Sequence, residues 1–329
     1  MTPNKVWITR SIYPPAVEKI RATARVDVWD SESPPPVDVF REKAREFNGI
    51  LTMLTDPVNQ QVIESAPDLR VISQMAVGFD NIDIQTATRR GIPVGHTPGV
   101  LTETTADFAW ALLMAAARRV VESDRQVHRG IWKAWGPDVL TGKDVYGATL
   151  GIIGFGRIGK AMARRAQGFN MKVLYSDPKH DLDAEKTSGA RHTELDTLLR
   201  ESDFISLHLY FKPELRHFLN RQRFEQMKTG VILINTARGA LLDAQALHWA
   251  LTSGKVAAAG LDVFDPEPIP SGHPLLDLDN VIITPHIASA SIVTRQRMAM
   301  IAADNLLAGL TGDPLPYCAN PQVYNLNRD

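Results

Sequence analysis

Cysteine is nearly missing from this 329-residue chain, with Cys318 the only one. A single thiol cannot close an internal disulfide and fits a reducing compartment. It also excludes a zinc centre built from several thiolates, and no metal site is expected. An excess of one charge is missing too: 36 Lys plus Arg stand against 37 Asp plus Glu, a formal net charge of −1. That balance gives no electrostatic reason to expect nucleic acid or an anionic membrane as a partner. Long apolar runs are absent as well. The most apolar helical stretch, residues 108–117, has about half of the ~20 residues that span a bilayer. Residues 1–10 lack an apolar core of signal-peptide length. These absences point to a cytoplasmic protein.

What is present is 44% apolar residues over a length that suits two domains. Short apolar runs alternate with amphipathic stretches, twice. The first series places strands at 5–9, 26–29, 49–53, 70–73 and 92–95, with helices at 14–23, 37–47 and 59–65. Such alternation implies βαβ units and parallel sheets. The strongest helical pattern covers 102–121, opens with capping-box spacing at Thr104 and Asp107, and is apolar nearly all round. Residues 131–146 hold Trp132, Trp135, Gly136, Pro137 and Gly142 and read as an irregular arm. The second series places strands at 149–153, 172–175, 204–208, 231–234, 256–261 and 281–283, and a last helix at 293–310.

The second series opens with Gly154-Phe-Gly156-Arg157-Ile158-Gly159, a G-x-G-x-x-G pattern. By itself that is a weak signal, but a strand runs into it and a helical pattern follows, as a dinucleotide-binding turn requires. Gly154 allows the tight turn, Gly156 lets the backbone approach a pyrophosphate, and Gly159 lets helix and sheet pack closely. The helix N-terminus offers unpaired N–H groups to phosphates. Asp177 ends the next strand, where a carboxylate accepts from both ribose hydroxyls and repels a 2′-phosphate. That favours NAD(H) over NADP(H). Lys179 and His180 follow it closely and leave NADP(H) open.

Three polar residues follow later strands: Arg238, Glu267 and His286. Ligands bind at the carboxyl ends of strands in open α/β sheets. Each residue alone has an ordinary structural explanation. Together, behind a dinucleotide fingerprint, they match what carbonyl reduction needs. His286 is the natural acid–base, Glu267 orients it, and Arg238 offers a planar fork to a carboxylate.

The motifs Ala76-Val-Gly-Phe-Asp-Asn-Ile-Asp83, Gly151-Ile-Ile-Gly-Phe-Gly-Arg-Ile-Gly159, Ile234-Asn-Thr-Ala-Arg-Gly239, Gly260-Leu-Asp-Val-Phe264 and Thr284-Pro-His-Ile-Ala-Ser289 resemble those of the D-isomer-specific 2-hydroxyacid dehydrogenases over nearly the whole chain. The resemblance implies that Arg238, Glu267 and His286 take the family's catalytic places. It implies that the backbone amides of Val77 and Gly78 bind the substrate carboxylate, and that Thr236, Ala237 and Asp262 line the nicotinamide end. His208 precedes a turn near the adenosine half, where Leu209-Tyr210-Phe211-Lys212 departs from the family's usual Pro-Leu-Thr type.

Within the family the chain looks most like glyoxylate/hydroxypyruvate reductases. Gly272-His-Pro-Leu-Leu276, the segment from Ser289 that includes Arg295, and Asn305-Leu-Leu-Ala-Gly-Leu310 carry that likeness, which adds Ser289 and Arg295 to the substrate side. In such enzymes a tryptophan of the partner subunit's arm can border the pocket, and Trp135 or Trp132 matches it. The implied activity is NAD(P)H-dependent reduction of a short 2-oxo acid to the D-2-hydroxy acid. The alternatives are a broader D-2-hydroxyacid dehydrogenase acting on pyruvate or 2-ketogluconate, and a dinucleotide-sensing binding protein.

The architecture expected is α/β, with two Rossmann-like or flavodoxin-like domains and a cleft between them. Residues 1–101 with 294–329 form the substrate-binding domain, and residues 102–293 form the dinucleotide-binding domain. The apolar helix and its arm suggest a homodimer.

Overall fold

Short β-branched runs bounded by turn residues give strands, and the amphipathic stretches between them give the crossover helices of parallel sheets. The computed structural model describes residues 3–325, and the chain ends at 1–2 and 326–329, which the expected domain ranges include, lie outside them. Contacts divide the chain into two units, Met1–Leu101 with Ala290–Asp329, and Thr102–Ser289. Residues 290–293 therefore go with the first unit and not with the dinucleotide-binding range, because Ser291 is the N-cap of the last helix and its side chain accepts from the Thr294 N–H.

The first unit runs β1 (Asn4–Ile8), α1 (Pro14–Arg21), β2 (Ala24–Val28), α2 (Val37–Ala44), β3 (Gly49–Thr52), α3 (Gln60–Ser65), β4 (Val71–Gln74), α4 (Ile84–Arg89) and β5 (Val94–Gly95). Its five strands are parallel in the order β2-β1-β3-β4-β5, a flavodoxin-like order. Helix α4 is not expected from the sequence. Its six residues, Ile-Gln-Thr-Ala-Thr-Arg, carry little apolar periodicity, and it is fixed locally by Asp83, whose carboxylate accepts from the Thr86 N–H at 2.9 Å. Trp7, Phe40, Ile50, Val62, Ile63 and Ile72 are all fully buried in the core on one face.

The second unit opens with α5 (Thr102–Ala117) and α6 (Val120–His128), where the sequence pattern suggests one helix over 102–121. The break is at Arg119, which is left-handed at φ 51°; its guanidinium holds Glu122 at 2.7 and 2.8 Å, while the Ala117 carbonyl accepts from the Lys143 N–H. The helix begins at Thr102, so Thr104 lies inside it and not at its cap, and Asp107 pairs with Arg165. Residues 131–146 form no helix or strand.

The unit continues with β6 (Thr149–Ile153), α7 (Arg157–Gln167), β7 (Lys172–Ser176), α8 (Leu182–Ser188), β8 (Arg191–His192), α9 (Leu195–Glu201), β9 (Phe204–Leu207), α10 (Arg221–Gln226), β10 (Val231–Asn235), α11 (Ala244–Thr252), β11 (Val256–Leu261) and β12 (Val281–Ile283). All seven strands are parallel, in the order β12-β11-β10-β9-β6-β7-β8. Strand order reverses between β6 and β9, the switch point where a doubly wound sheet opens a crevice for ligands. Apolar clusters cover both faces, one with Phe224, Leu233 and Leu247, the other with Leu113, Met162 and Tyr175. Burial on both sides explains the continuous run Val-Ile-Leu-Ile of β10.

The chain ends with α12 (Ile292–Thr311), which packs on β3 and β4 of the first unit. There Ser73 Oγ donates to the Ala302 carbonyl at 2.7 Å, and Asn305 Nδ2 donates to the His96 carbonyl at 2.9 Å. Among the described residues no helix is long and apolar enough to cross a membrane.

Candidate active site

At the switch point, Gly154 has φ +92°, and a Cβ there would lie 2.7 Å from the backbone of His208. A Cβ on Gly159 would lie 2.3 Å from the Gly154 carbonyl oxygen, whereas one on Gly156 would meet nothing within 4 Å. Two glycines thus let the backbone close up, and the third leaves room beside the loop. Gly156 is the N-cap of α7 and has no side chain to cap it. The first-turn N–H groups of Arg157 and Ile158 therefore have no intrahelical acceptor. Unpaired N–H groups at a helix N-terminus are able to hold a phosphate.

Asp177 sits where β7 ends, and both its oxygens are engaged. Oδ2 accepts from the Phe155 N–H of the glycine loop at 2.8 Å and Oδ1 from the Lys179 N–H at 2.9 Å. The carboxylate is thus anchored beside the loop and keeps further lone pairs for a donor. Beneath it Phe155 stacks on Tyr175 at 3.7 Å. His208 follows β9; its Nε2 is 2.8 Å from Ser206 Oγ, and burial pushes the imidazole down to about 3, so the ring is neutral.

The loops after β10, β11 and β12 carry the remaining polar groups. Asn235, fully buried at the end of β10, accepts from the Ala237 N–H at 3.0 Å and donates to the Arg238 carbonyl at 2.9 Å. It shapes the turn that presents Arg238. Thr236 Oγ1 in that turn is buried without a hydrogen-bond partner among the described residues. After β11, Glu267 Oε1 accepts from the Phe264 N–H at 2.8 Å, and Oε2 lies 2.7 Å from His286 Nδ1. A carboxylate there fixes the imidazole with its proton on Nδ1 and leaves Nε2 for chemistry. Both side chains are about a quarter exposed, at 27% for His286 and 24% for Glu267.

Asp262 is fully buried and supports this arrangement. Its Oδ1 accepts from Thr284 Oγ1 at 2.6 Å and the Ile287 N–H at 2.8 Å, and Oδ2 from the Ala288 N–H at 2.7 Å. Both oxygens are committed to the loop that carries His286, which is left-handed at φ 55°. Sequence reasoning places Asp262 along the nicotinamide end; its carboxylate holds a loop. Asn235 lies inside the motif Ile234–Gly239, but sequence reasoning gives it no role, although an amide closing the run Val-Ile-Leu-Ile is a signal.

In the first unit Val77 and Gly78 follow β4. Neither amide N–H has an acceptor among the described residues. The loop is tied by Gln74 Nε2, which donates to Asn81 Oδ1 at 2.8 Å, and by Asn81 Nδ2, which donates to the Met53 and Asp56 carbonyls at 3.0 and 2.9 Å. Asp56 is fully buried. Burial holds its carboxyl above the usual range, against the opposing pull of the Thr9 hydroxyl, the Met53 N–H and Arg10. Sequence reasoning misses these supporting residues too. Arg295 lies in the first turn of α12, and Ser289 is half-buried at the end of the second unit. Trp135 is 84% exposed and makes no ring contact or hydrogen bond among the described residues; Trp132 is also exposed. No cluster of metal-ligating side chains occurs among the described residues.

Residues 110–288 match the family of D-isomer specific 2-hydroxyacid dehydrogenases, NAD binding domain. A glyoxylate reductase of Korarchaeum cryptofilum is 51% identical over 320 residues, covering 97% of this chain and 96% of its own. A crystal structure of a protein from Thermus thermophilus superposes with a TM-score of 0.90 at 44% identity, covering 96% of this chain and 99% of that one. The NADPH-dependent glyoxylate/hydroxypyruvate reductase of Sinorhizobium meliloti, in complex with NADP and malonate, gives a TM-score of 0.86 at 28% identity, covering 97% and 98%.

Proposed function

The chain belongs to the D-isomer-specific 2-hydroxyacid dehydrogenase family, and on that premise we propose that it reduces glyoxylate and hydroxypyruvate to the D-2-hydroxy acids with a nicotinamide dinucleotide. The observation that carries this reading is the 2.7 Å pairing of His286 with Glu267 at the ends of two adjacent strands of a dinucleotide-binding sheet. The K. cryptofilum relative is named a glyoxylate reductase, which favours the two-carbon acid.

The glycine loop, the open space beside Gly156, the free amides at the start of α7 and the unpartnered Thr236 hydroxyl together fit a dinucleotide. That group supplies a hydride to the carbonyl carbon when bound. His286 Nε2 delivers a proton to the carbonyl oxygen, while Glu267 keeps the imidazole oriented and offsets its charge. Arg238 binds the acid and polarises its carbonyl, stabilising the charge that develops on oxygen. We assign the carboxylate to the amides of Val77 and Gly78, and a supporting role to Ser289 and Arg295. The first unit is thus the substrate-binding domain and the second the dinucleotide-binding one. Thr236 and Ala237 line the nicotinamide end, and His208 faces the adenosine half as a neutral ring.

NADH is the preferred coenzyme in this reading, because the anchored Asp177 carboxylate repels a 2′-phosphate. The exposed apolar side chains Ile131, Trp132, Trp135 and Val139 of the arm suit burial against a second copy. The homodimer brings Trp135 to the substrate end of its partner.

Initial rates of NADH and NADPH oxidation with glyoxylate, hydroxypyruvate, pyruvate and 2-ketogluconate test the reading. The expected result is fastest turnover of the first two acids with NADH. No turnover of any acid despite NADH binding would overturn it in favour of a dinucleotide-sensing binder, and faster turnover of pyruvate would make the enzyme a broader dehydrogenase.

A further inference from the structure

The segment after β5 braces the loop after β4 at two successive peptide units. The Thr97 N–H donates to the Ala76 carbonyl at 2.8 Å, and His96 Nδ1 lies 3.1 Å from the Val77 carbonyl oxygen. A carbonyl can only accept, so Nδ1 carries the proton. In a trans, planar peptide the N–H points opposite to its C=O. Turning the Ala76 carbonyl toward residue 97 therefore turns the Val77 N–H away from it. Turning the Val77 carbonyl toward His96 likewise turns the Gly78 N–H away. Both N–H groups lack acceptors among the described residues, and successive N–H groups facing one way form an anion-binding concavity.

The two braces differ in kind. The one from Thr97 is backbone, so almost any side chain at that position would provide it. The one from His96 is a side chain, and it depends on which residue stands there. That residue is itself held firmly. Its ring meets Phe79 edge-on at 5.4 Å and 86°, its carbonyl accepts from Asn305 of α12, and its N–H donates to the Tyr317 carbonyl at 3.2 Å.

We propose that His96 is a positioning residue for substrate affinity: by holding the Val77 carbonyl it aims the Gly78 N–H at the carboxylate of the 2-oxo acid. This rests on the assignment of that carboxylate to Val77 and Gly78. His96 moves no proton and touches no reacting atom, so its effect falls on KM for the acid.

The test compares His96→Asn with His96→Leu. Both side chains lose the ring contact with Phe79 and are nearly the same size. Asn Nδ2 sits as many bonds from the backbone as His Nδ1 and keeps a donor, whereas Leu has none. His96→Leu is expected to raise KM for glyoxylate about tenfold, the loss of one hydrogen bond's worth of orientation. His96→Asn stays within about threefold of the original. In both, kcat and KM for NADH stay unchanged. Equal KM values for the two variants would overturn the proposal, as would a loss in kcat alone. Amide NMR of the labelled protein with NADH, titrated with oxamate, separates the carboxylate assignment from the role of His96. If the Val77 and Gly78 resonances do not move in the original protein, the carboxylate assignment fails. If they move and saturate at the same oxamate concentration in both variants, only the role of His96 fails.

Discussion

The two sheets present polar groups at the carboxyl ends of their strands in opposite forms. After β10, β11 and β12 of the second unit the groups we assign to catalysis are side chains, Arg238, Glu267 and His286, each tied by a hydrogen bond of its own. After β4 of the first unit the groups we assign to the carboxylate are two backbone amides, Val77 and Gly78, on a loop tied by the neutral side chains of Asn81 and Gln74. The division follows from what each task needs. Moving a proton at neutral pH requires a titratable side chain, and His is the usual choice. Holding a carboxylate requires only N–H groups in fixed directions, which any sequence can supply if the loop is braced. Changes in the second unit's loops should therefore act on kcat, and changes in the first unit's loop on KM.

The largest effect expected is His286→Ala. Loss of general acid–base catalysis costs ~10²–10⁴-fold in kcat, while the dissociation constant for NADH, read by fluorescence titration, stays unchanged. A variant with near-normal kcat would remove His286 from the proton-transfer role and break the contrast at its strongest point.

The same contrast explains what the sequence makes legible. The glycine loop can be read because its strand, turn and helix signals are local and consecutive. Arg238, Glu267 and His286 can be read because charged residues directly after apolar strand runs stand out. The brace of Asn81 on Met53, or of His96 on Val77, joins residues 28 and 19 positions apart, and no local pattern encodes either. Asp262 shows the reverse problem: a motif resemblance implies a place for it at the nicotinamide end, but its hydrogen bonds to Thr284, Ile287 and Ala288 exist only once β11 and β12 pair. Helix α4 is missed because six residues with a polar surface carry little periodicity. The 102–121 stretch is overextended because Arg119 has an ordinary helix propensity, and its left-handed turn is imposed by Glu122 and the arm.

Asp262→Asn probes whether the second unit's side chains work only when their loop is held. The amide keeps one oxygen but turns an NH₂ toward a donor that the carboxylate accepted. Leaving a buried group unsatisfied costs about 1–3 kcal/mol, or a Tm lower by several degrees in a unit of this size. The kcat should fall with it, because residues 284–288 carry His286, and KM for glyoxylate should move little. A normal kcat with a lowered Tm would show that the loop keeps its geometry without the carboxylate, which would leave Asp262 a purely stabilising residue.

The smallest effect expected separates the two units by pH. In the second unit the shifted acid–base groups stabilise the fold at neutral pH. His208 is pushed by burial from 6.5 down to about 3; Asp181 is lowered by Lys160, and Glu185 by the Tyr175 hydroxyl. An imidazole that resists protonation when folded contributes its full stability above the unfolded value near 6.5 and loses it as pH falls toward 3. The lowered carboxylates lose theirs as pH falls below their unfolded values. In the first unit the buried Asp56 is shifted the other way, raised by burial, so its contribution is full at low pH and lost as pH rises. Acidification from pH 7 to 4 should therefore loosen the second unit and spare the first. Hydrogen-exchange protection factors measured peptide by peptide read this directly, with residues 149–208 losing protection and residues 49–81 keeping theirs. The His208 share comes from burial of the ring alone. His208→Gln should remove that share and flatten the profile of the second unit. Parallel loss in both units, unchanged by His208→Gln, would show that their acid stability is set by something other than these buried groups.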